Sequence, residues 1–161
     1  MTLRRTFLGT LAFGLLAPLP AGAQQAGRIS RIGYLGPSSP SLESHLVEAF
    51  GQRLRDLGYL EGQNITIDYR WADGQNDRLP GQAAELVRLK PDVIVTTGTP
   101  GILAAMQATK TIPIVMTSSG DPVLTGLVAS LGRPGGNVTG LTIFGPELEG
   151  KRLELLKETV P

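Results

Sequence analysis

The feature that most constrains this chain is an alternation of hydrophobic period. Short apolar runs ending in glycine or small hydroxyl residues take turns with longer segments whose apolar residues recur every three or four positions. "RIGYLG" (31–36) is the first run. It is followed by "SLESHLVEAFGQRLRDLG", with Leu42, Leu46, Phe50, Leu54 and Leu57 on one predicted helix face and Gly58 placed to end it. "NITIDYRW" (64–71) sets Ile65, Ile67 and Tyr69 against Thr66, Asp68 and Arg70, which reads as a strand with one wetter face near a sheet edge. The segment 77–90 is helical, with Leu79, Ala83, Leu86 and Val87 on one side, and "DVIVTT" is a fully buried strand. A short helix over 101–110, a strand over 112–118, a helix over 122–132, a strand over 137–142 and a closing amphipathic helix with Leu148, Arg152, Leu155 and Leu156 roughly aligned complete the pattern. Strict strand–helix alternation implies an α/β fold. The sheet is expected to be open, doubly wound and parallel, with about five strands and helices on both faces.

In such a sheet, ligands bind outside the carboxyl ends of the strands. Three loops at that edge are built alike: Gly36-Pro37-Ser38-Ser39-Pro40, Thr97-Gly98-Thr99-Pro100-Gly101 and Thr117-Ser118-Ser119-Gly120-Asp121-Pro122. Each has glycine, small hydroxyls, and then Ser, Thr or Asp directly before proline, which is the start signal of a helix. Helix N-termini offer free N–H groups and partial positive charge, and hydroxyls can donate to carboxylate oxygens. The three loops therefore suit a small solute bearing a carboxylate. Ser39, Thr99 and Asp121 are equally the natural N-caps of their helices, and Asp121 is also placed to meet a ligand ammonium. Tyr34, within the first strand, is expected in the core; Trp71 has no clear place.

Several functions are disfavoured by composition. The chain has 161 residues, no cysteine and one histidine, His45, which removes disulfides, thiolate metal sites and His-rich metal sites. Asp68, Asp73 and Asp77 match no cation loop. With 15 basic and 14 acidic residues there is no basic stripe for nucleic acid. No G-x-S-x-G elbow, P-loop or G-x-G-x-x-G follows a strand, and no histidine pairs with a nucleophile, so neither a cofactor nor a catalytic set is expected.

Residues 1–23 stand outside the alternation. They have a basic start (Arg4, Arg5), an apolar stretch (Phe7 to Leu19) and an A-x-A end at Ala21-Gly22-Ala23. This is the layout of an export signal cleaved before Gln24, and Arg4-Arg5-Thr6-Phe7-Leu8 matches the twin-arginine pattern. The apolar run is shorter than the ~20 residues that span a bilayer. A periplasmic location is expected.

The stretches "RIGYLGPSSP", "AFGQRLRDLGYLEGQNITIDYRWADGQNDRLPGQAAELVRLKPDVIVTTGTP", "IPIVMTSSGDPV" and "SLGRPGGNVTGLT" resemble the ABC-transporter substrate-binding protein family with the periplasmic-binding-protein type I fold, relatives of the leucine/isoleucine/valine-binding proteins. The resemblance runs from about Arg31 to Pro161. It implies two α/β lobes closing on a small solute such as an amino acid, and an ABC permease partner in the inner membrane. Carried over residue by residue, it points to Ser38, Ser39, Thr97, Gly98, Thr99, Ser118, Ser119 and Asp121 as ligand contacts. It implies a first lobe over 24–142 and a hinge with the first helix of an otherwise missing second lobe over 143–161. That helix is expected to expose apolar side chains unless it packs on the first lobe or on a second copy. Two alternatives stand beside the binding reading: a truncated product without activity, and a doubly wound hydrolase using Asp121 or a loop serine.

Overall fold

The computed structural model of the protein describes residues 29–143 and 146–159. The export segment expected over 1–23 lies outside the described residues. Five strands form one sheet: β1 (Ser30–Gly36), β2 (Ile65–Trp71), β3 (Val93–Thr96), β4 (Ile114–Met116) and β5 (Val138–Gly140). All pairings are parallel and the spatial order is β2-β1-β3-β4-β5. Parallel neighbours need crossovers, and the intervening segments supply them as α1 (Pro40–Asp56), α2 (Leu79–Arg88) and α3 (Gly98–Ala108), with α4 (Pro146–Thr159) after the last strand. The expected fold class is the observed one.

The sheet buries both faces. On one, Leu35, Ile94, Ile114, Met116 and Val138 pack with Leu79, Ala83 and Leu86 of α2 and with Ile102 and Ala105 of α3. On the other, Ile32, Tyr34, Ile65 and Val95 meet Val47, Phe50 and Leu54 of α1. The strand β2 lies at the sheet edge, as its alternation predicts. Its Ile67, Tyr69 and Trp71 face the α1 side, while Asp68 and Arg70 pair with Arg31 at 3.1 Å and Glu85 at 2.9 Å. Trp71, unplaced by sequence, stacks on Tyr69 with centroids 6.1 Å apart and lies beside Tyr34.

Three expectations need correction. No helix forms over 122–132. The segment makes one turn, in which Asp121 Oδ1 accepts the N–H groups of Val123 and Leu124, and those of Leu127 and Val128 both reach Pro122 O. That closure tucks Leu127 and Val128 into the core and takes the chain off the helical path at Gly126, whose φ is 71°. A helix there would have to choose between that burial and its i→i−4 ladder, and burial wins.

The helix expected from 101 begins instead at Gly98, so Thr97 is its N-cap and Thr99 sits inside its first turn.

The buried face of α1 is rotated from the expected one. Leu42 is 69% exposed, Leu46 48% and Leu57 58%, whereas Glu43, Val47, Phe50 and Leu54 face the sheet. A leucine spacing of four identifies a stripe on a helix but not which stripe is buried; the polar partners waiting for Glu43 decide that.

Candidate ligand-binding edge

The connections leave β1 and β3, adjacent strands, in opposite directions: β1 goes out to β2, β3 to β4. This makes the gap between them the topological switch point, where an open α/β sheet has a crevice at its carboxyl edge. The loops on either side are 37–39 and 97–99. They carry the N-termini of α1 and α3, which lie on opposite faces.

The rim of that edge is stitched by backbone bonds. The N–H groups of Ala72, Gly74 and Asp73 reach the carbonyls of Gly36, Pro37 and Ser38 at 2.9, 2.9 and 3.1 Å. Gly98 N–H donates to Ser118 O at 2.8 Å, and Thr117 N–H to Thr96 O at 2.9 Å. Ile143 N–H reaches Ser119 O, and the Thr142 hydroxyl donates to Gly120 O at 2.8 Å. Each loop is held by its neighbour's backbone.

The expected site residues divide accordingly. Ser38 and Ser39 lie together at the start of α1, and Thr97, Gly98 and Thr99 at the start of α3. Ser118 joins them through its carbonyl to Gly98. Ser39 and Thr97 are the N-caps, yet neither makes a side-chain cap hydrogen bond. Ser39 Oγ instead lies 3.0 Å from Ser41 Oγ.

Neither Ser39 nor Thr99 caps its helix through its side chain, and Asp121 has no helix to cap; its Oδ1 instead closes a turn by accepting two N–H groups at 2.8 and 2.9 Å. Ser119 is 3% exposed and its hydroxyl donates to Gly120 O at 2.8 Å, so it braces the rim.

The threonine that ends β3 has a structural role. Thr96 Oγ1 donates to Leu35 O at 2.8 Å across the switch point, and Gly101 leaves room for it, since a Cβ there would come 2.5 Å from that oxygen. His45 is exposed on α1. Among the described residues no group of His, Asp and Glu could hold a metal, and no helix is long and apolar enough to cross a membrane.

Sequence reasoning missed Glu43. It is 5% exposed, with Oε1 accepting Ser38 N–H at 2.9 Å and Oε2 the Tyr34 hydroxyl at 3.1 Å. An acid in a first helical turn reads as ordinary dipole complement. Only the tertiary position of Tyr34 marks it out.

An open parallel sheet with helices on both faces and two helix starts flanking its switch point defines a doubly wound α/β lobe. The chain belongs to the ABC transporter substrate binding protein family, whose model matches residues 38–161. That is a family of binding proteins and not of enzymes, in line with the expectation from sequence.

Among curated relatives, a tyrosine-binding protein of Clostridioides difficile is 42% identical over 122 residues, 76% of this chain and 34% of that protein. Among solved structures, the ligand-free, open form of a substrate-binding protein with adhesive properties from Clostridium difficile matches with TM-score 0.71 at 35% identity, covering 80% of this chain and 43% of that one. A conserved domain protein from Vibrio cholerae gives TM-score 0.72 at 35% identity, over 83% and 45%. A Streptococcus pneumoniae ABC domain in complex with L-Trp gives 0.64 at 32%, over 70% and 38%. The chain spans about a third of the curated relative's length and under half of each of these structures.

Proposed function

We propose that this chain is the first lobe of an exported solute-binding protein that hands an aromatic amino acid to an ABC permease. The observation that carries the reading is the switch point between β1 and β3, flanked by two helix starts whose cap side chains make no bond to their own helix. The amino acid's carboxylate would take the hydroxyls of Ser38, Ser39, Thr97, Thr99 and Ser118, with Gly98 leaving room for its approach, because the N–H groups of Ser38 and Gly98 already donate to Glu43 and to Ser118 O. Asp121, on the same rim, is the group for its ammonium, and Ser119 supports the loop from behind.

The aromatic preference rests on the tyrosine-binding relative and the structure holding L-Trp. The segment 143–161 is the hinge and first helix of a second lobe, which would supply the remaining contacts, since cleft sites bury most of their ligand. Residues 1–23 are the export signal, and the location is periplasmic.

A thermal-shift panel of amino acids and small carboxylates tests this. L-Tyrosine or L-tryptophan should raise the melting temperature, by the linkage of binding to folding. Ser118→Trp should abolish that rise and leave the ligand-free melting temperature within about a degree, as expected if the half-buried Ser118 side chain faces the ligand space and not the core. A panel in which no solute moves the melt, or a Ser118→Trp protein that still responds, contradicts the reading.

A further inference from the structure

We infer that Glu43 is the positioning residue of the ligand loop: a buried carboxylate that fixes the Ser38 peptide from behind. It rests on the reading that loop 37–39 touches the solute. Glu43 is the one buried acid among the described residues. Burying a carboxylate is unfavourable unless hydrogen bonds replace its water, and both oxygens have such a bond.

The pattern is not that of a capping box. There an acid in the first turn returns to the N–H of the cap residue itself. Here the cap is Ser39, and Glu43 reaches one residue further out, to Ser38. Its second oxygen is anchored to Tyr34, a core residue of the strand that leads into the loop.

The surroundings are shaped for this. Gly36 has no side chain where a Cβ would collide with the Trp71 ring and come 3.2 Å from Glu43 Oε2. From the opposite side, Asp73 N–H donates to Ser38 O at 3.1 Å. Asp73 has a φ of 52°, a left-handed conformation that aspartate adopts more readily than most residues, and its carboxylate lies 3.2 Å from Arg78. The Ser38 peptide is therefore held at both its N–H and its carbonyl before any ligand arrives. Such preorganisation lowers the ordering cost of binding.

The test is made on the full-length protein with two readouts: hydrogen exchange of the Ser38 amide without ligand, and affinity for L-tyrosine by calorimetry. Glu43→Ala should speed that exchange and weaken affinity, each by about tenfold, the scale of one lost charge-assisted hydrogen bond. Glu43→Gln, which keeps an acceptor for Ser38 and can donate to the Tyr34 oxygen, should restore most of both. Tyr34→Phe frees one end of the carboxylate and should give intermediate values; it decides the matter if Glu43→Ala does not fold.

A folded Glu43→Ala protein, or a Tyr34→Phe protein in its place, with unchanged Ser38 exchange or unchanged affinity would overturn the proposal and leave Glu43 a helix-start brace only. If the unaltered protein binds no L-tyrosine, the aromatic reading fails. Exchange at Ser38 alone then decides the positioning role.

Discussion

Tyr34 joins the core to the loop that follows β1. Its ring packs among Phe50, Tyr69 and Trp71, and its hydroxyl ends on Glu43. Burial first, then the charge of Glu43 and the bond to it, push the phenol well above its ordinary value, and burial moves Tyr69 the same way. The unfolded chain therefore loses these protons before the folded one as pH rises. Their share of stability is complete below about pH 10, the ordinary tyrosine value, and drains away above it. Urea melts should show a plateau through neutral pH and a decline from about pH 10 upward. Tyr34→Phe should be less stable at neutral pH by about 1 kcal/mol, for the lost hydrogen bond, and should show a shallower alkaline decline. An equal decline in both proteins would show that Tyr34 is not its source.

At this scale the sequence was half legible. The segments rich in small hydroxyls and glycines do lie at the carboxyl ends of β1, β3 and β4. What they could not reveal was the division of labour, in which Thr96 bonds Leu35, Ser119 turns to its own neighbour's carbonyl, and Ser39 and Thr97 leave their helices uncapped. Those outcomes depend on which strand lies beside which.

Among the elements, α1 shows most plainly how tertiary context chooses a helix face. Two apolar stripes run along it, and the leucine-rich one, with Leu42 and Leu46, faces out. The stripe of Glu43, Val47, Phe50 and Leu54 is drawn to the sheet by the aromatic cluster and the polar pair at Tyr34. Truncation reads this directly. Phe50→Ala should cost about 2–3 kcal/mol, as partly buried aromatic side chains do, and Leu46→Ala no more than about 0.5 kcal/mol. Equal costs in denaturant melts would mean that the leucine face is the buried one.

The missing helix after β4 has a related cause. "PVLTGLVASLG" has helical spacing, but Leu127 and Val128 are worth more in the core than on a solvated helix, and Leu124 is left 85% exposed as the turn swings past. Apolar spacing states what an isolated segment would do, and this segment is not isolated.

For the whole molecule, the alternation of periods sufficed to specify five parallel strands and helices on both faces, because parallel sheets admit few arrangements. Strand order was not readable from any one segment, and it is the order that puts the switch point between β1 and β3. The final helix exposes apolar side chains, as its composition predicts, with Leu153, Leu155 and Leu156 all more than half exposed.

The central claim is that an aromatic amino acid binds at the switch point. The most direct test is an NMR titration of the full-length protein with L-tyrosine, following backbone amides. The account predicts saturable shifts concentrated in 37–39, 97–99 and 117–121, with the far end of the sheet near Gly62 and Asn64 unmoved. Saturable shifts centred instead on the groove of about 340 Å³ between α1 and β2, lined by Pro40, Val47, Tyr69 and Trp71, would place the ligand elsewhere and contradict it.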